Sequence, residues 1–380
     1  MEWYKRDLKH DAANLCSCSS AAKERFGLNI LKSIESDLTT IDVAQLSMSD
    51  IDAVVDAAHP AHAFLKSTWF QAATSSFDVV GARRANGVPV AALPLVKRRI
   101  GPFEIKEIAG SYWPFRSFPI AEDLSDPELA IILRDEEFQR ALGRVWRLGP
   151  IYSDDPTALR LVPLAEENGW QIIRKSIATC FELNLATLMG AGPWPKGSTA
   201  RKNRARERKL AADGEVHYRF FIGSDLDQAS MDAMATVEAN SWLATLNGGG
   251  DTKFLDPNSR AIWENLVSDP ALSQFLFASL MTVGDNPIAF TFGLEIADRR
   301  YYIANNYDQK FSKFGPGKLL LYKDFAFAVE RGIGTISWGA GDAGYKTEMG
   351  AEPGPEIQDL LFVRNRALAA LLRPIFLRMG

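Results

Sequence analysis

The sequence predicts an α+β fold laid out twice in succession. Apolar alternating runs and helical runs recur in similar order on both sides of a Gly-, Pro- and Ser-containing segment, MGAGPWPKGSTA, at residues 189–200. Hairpin turn residues separate neighbouring strand runs, as at Ala85-Asn86-Gly87 and Gly284-Asp285-Asn286. Each half has hairpins before a single crossover helix, which excludes a doubly wound parallel sheet. The predicted organisation is an arm at 1–36, a first domain at 37–188, a linker at 189–200 and a second domain at 201–380. Each domain is expected to be a mixed, mostly antiparallel sheet flanked by helices.

The elements follow in order. The polar stretch up to about residue 35 holds at most one helix, around Ala21 to Ile34. Asp50 to Ala73 reads as two short helices around a proline. DVVGARR and VPVAALPLVKRR form a hairpin, and FEIKEIAGSYWPFRSFPI reads as a second hairpin-like piece. Glu128 to Trp146 and Thr157 to Asn168 have helical periodicity; Gly169 ends the latter, and WQIIRKSIATCFELNL returns as strand. Beyond the linker come a helix (Arg201 to Asp213), a strand (Val216 to Phe221) and a helix (Asp227 to Leu246). Strands follow in FLFASLMTV, PIAFTFGLEI and YYIANNYD. KLLLYKDFAFAVERG is a helix apolar on nearly every side, predicting burial. TISWGAG and IQDLLFV are strands, and an amphipathic helix closes the series.

The chain of 380 residues is 47% hydrophobic and 24% charged, the proportions of a globular protein. A formal net charge of −4 gives no global drive toward nucleic acid or anionic membrane, so such attraction must be local. No apolar run approaches a membrane span, and the first residues lack the apolar centre of a signal peptide. The expectation is a cytoplasmic protein. Cys16, Cys18 and Cys180 have neither the number nor the spacing of a disulfide framework or zinc site. His59-Pro-Ala-His62 resembles a metal-ligand pair, but no third ligand is near in sequence; it reads as the start of a helix, and no metal is expected.

The stretch FSKFGPGKLLL, Phe311 to Leu321, is the sharpest local feature. Gly315 and Gly317 allow close backbone approach, and the helix that follows offers its N-terminus to an anion. Lys313 and Lys318 add charge. The plain alternative is a rigid turn. Lys196 to Lys209 carries seven Lys or Arg against one Glu, either a phosphate contact or a solvated helix. No aromatics interleave with it, which disfavours binding of single-stranded RNA by stacking, and nucleic acid is not the expected partner.

Several pieces together resemble the GNAT superfamily of acyl-CoA-dependent N-acyltransferases, and more finely its CelD/BcsL-like branch, related to FemAB transferases. They are FLKSTWFQAA with VPVAALPLVKRR, GPIYSDDPTALRLVPLAEENGW, KNRARERKLAADGEV, NYDQKFSKFGPGKLLL and WGAGDAGYKTEMGA, spanning about residues 40 to 365. Ser312 stands where the superfamily usually carries Gln or Arg, and Ser337-Trp338 where it often carries Asp-Phe. The resemblance implies two GNAT-like halves, acetyl-CoA or another acyl-CoA as co-substrate, no permanently bound cofactor, and an amine acceptor on a glycan precursor or related envelope metabolite. Ile303, Ala304, Ser312, Lys313, Phe314, Gly315, Gly317 and Lys318 are then the expected acyl-CoA contacts.

Amine attack on a thioester needs a proton acceptor, carbonyl polarisation and an acid for the thiolate, but no nucleophilic triad. The carboxylates to weigh are Glu238, Asp308 and Asp342, each also readable as a cap or surface group. The Tyr345-Lys346 pair matches the family's pair: Tyr345 as acid, Lys346 as anion or carbonyl contact. Tyr112, Trp113 and Arg116, with Trp242 and Asn305, are candidates for substrate contact; the first group equally suits packing between halves. Leu368, Leu371, Leu372, Ile375 and Phe376 form an apolar stripe among arginines, readable as packing or as peripheral membrane contact. Rival readings are N-acylation of an amphiphilic, sphingoid-type amine, aminoacyl transfer from charged tRNA, and a degenerate nucleotide-binding regulator.

Overall fold

The computed structural model of the protein describes residues 40–100, 103–110, 114–190, 192, 194–246, 251–342 and 344–378. The predicted arm at 1–36, with its helix, Cys16 and Cys18, lies outside them. The first series of elements is β1 Ile41–Gln45, α1 Met48–Asp56, α2 Ser67–Ala73, β2 Asp78–Arg84, β3 Pro89–Ile100 and β4 Phe103–Ile108. It continues with α3 Asp126–Arg134, α4 Glu136–Leu142, β5 Val145–Tyr152, α5 Pro156–Glu167, β6 Gln171–Asn184 and α6 Leu185–Gly190. The second series is α7 Gly197–Leu210, β7 Val216–Ile222, α8 Gln228–Ala239, α9 Pro257–Ser268, α10 Pro270–Ser273, β8 Leu276–Val283 and β9 Asn286–Ile296. Then come β10 Arg299–Tyr307, α11 Pro316–Glu330, β11 Thr335–Ala340, α12 Tyr345–Glu348, β12 Glu352–Val363 and α13 Arg366–Arg378.

The fold is α+β, and among the described residues the strands form one twelve-stranded sheet flanked by helices. Its order is β1-β2-β3-β4-β5-β12-β6-β11-β10-β9-β8-β7. In each series four strands pair antiparallel and a fifth is added in parallel: β5 beside β4, and β11 beside β10. The sixth strands are exchanged. β12, last in the chain, lies antiparallel to β5, while β6 lies antiparallel to β11, and the two pair with each other at the centre. β12 is apolar where it crosses: Leu360, Phe362 and Val363 are fully buried, and Phe362 stacks on Trp146 of β5 at 4.2 Å between ring centroids. Burial of each such side chain is worth roughly 1.5–3 kcal/mol.

Local chemistry corrects several sequence expectations. The helix predicted over Glu128 to Trp146 is two helices, because Asp135 accepts from Glu137 N and Phe138 N and caps a new start. Gly143, at φ 74°, ends the second, and Trp146 belongs to β5. Only β4 of the second predicted hairpin is a strand; Phe115 and Ile120 make isolated bridges to Ile151 and Ala91. The helix expected to reach Leu246 stops at Ala239, and a short 3-10 turn capped by Ser241 follows. α9 went unpredicted, although Asp256 as cap and Pro257 at the first position announce it.

α11 departs furthest from expectation. It is not apolar all round: Lys323, Ala326, Val329 and Glu330 are exposed, and the buried face carries a charge, Asp324. Asp324 Oδ1 accepts from Arg300 Nη1 of β10 at 2.7 Å and from Ser279 of β8, and its Oδ2 accepts from Tyr302 of β10. Arg300 is wholly buried, pairs also with Glu295 of β9, and stands 4.2 Å over the Phe277 ring. Arg331, just past α11, donates to the other Glu295 oxygen at 2.8 and 3.0 Å. The helix is thereby held to three adjacent strands by directed, charge-assisted bonds.

Removing one partner of a buried charge network leaves the other charge without compensation. Asp324→Ala is expected to destabilise the fold by about 3 kcal/mol, seen as a lowered urea midpoint at unchanged slope. Ser279→Ala, which deletes only a hydroxyl donor, should cost about 1 kcal/mol.

Candidate acyl-CoA site

The site is built where the parallel pair β10 and β11 parts. The two strands pair at Arg299–Thr335, Arg300–Ile336 and Tyr301–Ser337 and no further, though each runs on. A register shift against β9 between Tyr302 and Ala304 puts an extra residue into β10 at the parting point, which bends the strand there. Ile303 and Ala304, predicted as cofactor contacts, lie at this bulge and are buried.

Beyond the open end of β10, Asp308 caps a 3-10 turn over Gln309–Phe314, and Gly315 links that turn to α11. Gly315 has φ 61° and ψ 53°, the left-handed region that favours glycine, and offers no side-chain cap. The first-turn N–H groups of α11, at Gly317 and Lys318, therefore have no partner within the helix. A Cβ on Gly317 would stand 3.3 Å from the Tyr307 ring and 3.7 Å from Asn305 Oδ1, so the glycine keeps this end of the helix close to β10. Ser312 and Lys313 are exposed, Phe314 is half-buried with the Lys313 ammonium over its ring, and Lys318 pairs with Glu348.

The basic helix α7 reaches this turn. Arg206 Nη1 is 3.7 Å from the position a Cβ would take on Gly315. The charges of Arg206 and Lys202, after that of Lys318, hold the Glu348 carboxyl below its usual range, and Arg206 acts on the Tyr322 phenol. Sequence spacing indicated a basic helix but not which of its cations face the glycines; Arg206 was not among the residues singled out.

The predicted catalytic residues fall into two groups. Tyr345, at the start of α12, is within hydrogen-bonding reach of the Asn305 side chain on β10 and packs edge-on to Trp338 of β11 at 5.9 Å. It spans the opening. Burial pushes its phenol up, and the Asn305 hydrogen bond opposes that. The others bind their own surroundings. Glu238 is 0% exposed, and its carboxylate accepts from the backbone N–H of Lys253, Phe254 and Leu255, each at 2.8 Å. Burial raises its pKa and these three bonds lower it. Asp308 accepts from Lys310 N at 2.8 Å, and Asp342 accepts from Gly344 N at 2.7 Å and Thr347 Oγ1 at 2.5 Å. The Lys346 ammonium is buried and donates to the carbonyls of Trp338, Gly339, Ala340 and Gly341, closing the loop after β11. With four carbonyl acceptors around it, that ammonium has its donors engaged within the loop.

The expected substrate contacts are dispersed. Tyr112 and Trp113 lie outside the described residues. Arg116 is largely buried, its pKa lowered by burial, with Glu107 3.9 Å away in a network completed by Arg147 and Asp359. Trp242 is 51% exposed on the 3-10 turn after α8. Gln309 N bonds to Asn240 O at 3.0 Å, which sets that turn beside the end of β10. His59 accepts from Ala61 N, and His62 bonds to Asp155 at 2.9 Å, each as a local anchor.

A second cluster, of which the sequence drew attention to Cys180 and Ser337 alone, lies on the face of the sheet opposite α11. Arg300 and Tyr302 point toward Asp324, so Arg299 and Tyr301 point the other way. There Tyr301 meets Phe115 and Tyr152 at 5.3 and 5.6 Å between rings, and Tyr152 lies 3.5 Å from Ser337 Oγ. Glu182 of β6 accepts from Arg299 at 2.6 Å, with Asp154 3.8 Å from the same nitrogen. Burial raises the Glu182 pKa, Arg299 lowers it and Asp154 raises it again. Burial pushes the Cys180 thiol up to about 12, so it is no thiolate nucleophile at neutral pH. Tyr152, Glu182, Tyr301 and Ser337 come from β5, β6, β10 and β11 and are brought together by the exchange of the sixth strands.

Residues 197–347 match the family of acetyltransferase (GNAT) domains. This chain carries a GNAT acyltransferase domain. The match runs from the basic helix through the strand pair that parts, the glycine turn and α11 to Tyr345-Lys346-Thr347, and such a domain implies an acyl-CoA co-substrate. Among solved structures, FemX is similar at 12% identity and a TM-score of 0.59, over 87% of this chain and 100% of that one. A conserved protein of unknown function from Bacteroides thetaiotaomicron is similar at 12% identity and a TM-score of 0.51, over 85% and 100%. A tandem GNAT protein of clavulanic acid biosynthesis is similar at 11% identity, over 86% and 99%, with a TM-score of 0.46. At these identities the likeness to the first two is one of fold. No curated protein sequence matches the chain.

If the turn and Arg206 bind the phosphates together, Arg206→Glu should weaken CoA binding at least tenfold, since a charge-assisted bond of about 1.5–3 kcal/mol is lost and a repulsion added. Calorimetric titration with CoA measures this, and unchanged unfolding of the free protein shows that the fold is intact.

Proposed function

We propose that the protein is an acyl-CoA-dependent N-acyltransferase that passes an acyl group, acetyl in the simplest case, to the primary amine of an envelope glycan precursor. The observation that carries the reading is the parting of β10 and β11 above an uncapped glycine turn. Gly315, Gly317 and the first turn of α11 suit the pyrophosphate of CoA, with Arg206, Lys202 and Lys313 adding charge. The backbone at the Ile303–Ala304 bulge lines the acyl group. Tyr345 and Asn305 stand at the opening where the thiolate departs.

The amine approaches from the opposite face, over Tyr152, Tyr301 and Ser337. Glu182 is the proton acceptor in this reading, a half-buried carboxylate with its affinity for a proton raised. The amine nitrogen bonds to the acyl carbon, its proton goes to Glu182, and the carbon–sulfur bond breaks as Tyr345 supplies a proton to sulfur. Positioning contributes most of the rate. The carbohydrate acceptor comes from the resemblance to the CelD/BcsL-like branch; the exposed apolar face of α13 favours, as a second reading, an amphiphilic sphingoid-type amine with long-chain acyl-CoA.

Thermal unfolding with acetyl-CoA and palmitoyl-CoA tests the donor. A rise of several degrees is expected at about 100 times Kd, and no rise with any acyl-CoA would sink the reading. CoA release with amino sugars and sphingoid-type amines then tests the acceptor.

Two variants test the residue roles. Tyr345→Phe should lower kcat by roughly 10²-fold with little change in KM for the acyl donor. Glu182 must be ionised to accept a proton, so kcat/KM should climb with pH through its raised pKa. Glu182→Gln should lower the rate by about 10²-fold and flatten that acidic limb; an unchanged pH profile would exclude Glu182 as the base.

A further inference from the structure

α13 carries two faces, only one of which the fold uses. Ala369, Leu372 and Phe376 are buried against Ile105 of β4, Ile173 of β6 and Leu361 and Val363 of β12. The apolar stripe visible in the sequence is therefore divided. Leu371, Ile375 and Leu377 are 58%, 43% and 44% exposed, and Ala367, Ala370 and Pro374 lie on the same outer side. Arg366, Arg373 and Arg378 are exposed among them. Residues 364–378 contain four arginines and no Asp or Glu, in a chain whose formal net charge is −4.

The outward face thus combines apolar side chains with arginines that make no ion pair among the described residues. Solvation alone favours mixed charges on an outer helix face, whereas arginines without carboxylates among them complement an anionic surface. Long arginine stems beside leucines suit an interface at which acyl chains and anionic headgroups meet. Among the described residues no helix is long and apolar enough to cross a membrane, so α13 can only lie along one. Its inner face anchors it to the sheet, and the helix is already formed before contact, which removes the cost of ordering it.

We propose that α13 is a peripheral docking surface for an anionic lipid bilayer, its outer face lying in the headgroup region with Leu371 and Ile375 inserted. The surface is independent of the acyl-transfer chemistry and stands or falls apart from it.

Sedimentation of the full chain with sucrose-loaded phosphatidylcholine vesicles, with and without phosphatidylglycerol, tests this. Binding is expected only with phosphatidylglycerol. Arg373→Glu with Arg378→Glu should cut the partition coefficient by roughly fivefold or more per arginine, from about 1 kcal/mol per charge near the surface, and Leu371→Glu with Ile375→Glu should abolish binding. No sedimentation with either vesicle, or undiminished binding of the leucine and isoleucine variant, would overturn the proposal. So would release of the bound protein by an RNA oligonucleotide, which would mark the arginines as a phosphate-backbone contact. Should a double variant unfold, Leu371→Trp serves instead: quenching of its added fluorescence by brominated lipid is expected, and no quenching counts against insertion.

Discussion

The Arg300–Asp324 pair is the constraint on which the arrangement of the second half depends. It fixes α11 at one height and rotation against β8, β9 and β10, with Glu295, Ser279, Tyr302 and Arg331 completing the set of directed bonds. A purely apolar contact would let the helix slide or turn by part of a residue at little cost, because apolar contact has no direction. The glycine turn leads directly into that helix, and the parting strand is the one that carries Arg300. Fixing one to the other sets the distance between the candidate phosphate cradle and the candidate acyl-binding strand.

The exchange of the sixth strands has a comparable reach. β12 closes the first series against β5, and β6 closes the second against β11, so neither series buries its central strands without the other. The exchange also assembles the cluster on the face away from α11, where Tyr152, Glu182, Tyr301 and Ser337 come from four different strands. The candidate acceptor site at that seam takes Tyr152 and Glu182 from the first series and Tyr301 and Ser337 from the second. This offers a physical reason for a chain with one glycine-turn domain to carry a second set of strands.

How much was legible follows the range of the interactions. Hairpin turns, the Gly315–Gly317 turn and the basic helix were readable because backbone sterics and local charge decide them. Asp135 and Asp256 act equally locally, as caps, and they override periodicity: one splits the apolar run from Glu128 into two helices and the other starts α9. Tyr345 was singled out through resemblance, and the structure places it beside Asn305. The carboxylates weighed from sequence, Glu238, Asp308 and Asp342, were conspicuous for loop or helix context, but each has backbone N–H groups as its partners. Glu182 gave no such signal: it sits in a strand whose neighbours are more than a hundred residues away in the chain.

By itself the sequence determined the class of fold, the order of most elements and the stretch that opens α11, since periodicity, turn chemistry and glycine content act within a few residues. The tertiary structure alone decided which strands share the centre of the sheet, that Arg206 faces the glycines, that Lys346 is enclosed by carbonyls, and which side of α13 is covered. These depend on contacts between distant segments, and a side chain's charge state and accessibility are set by what the fold brings beside it rather than by its neighbours in the chain.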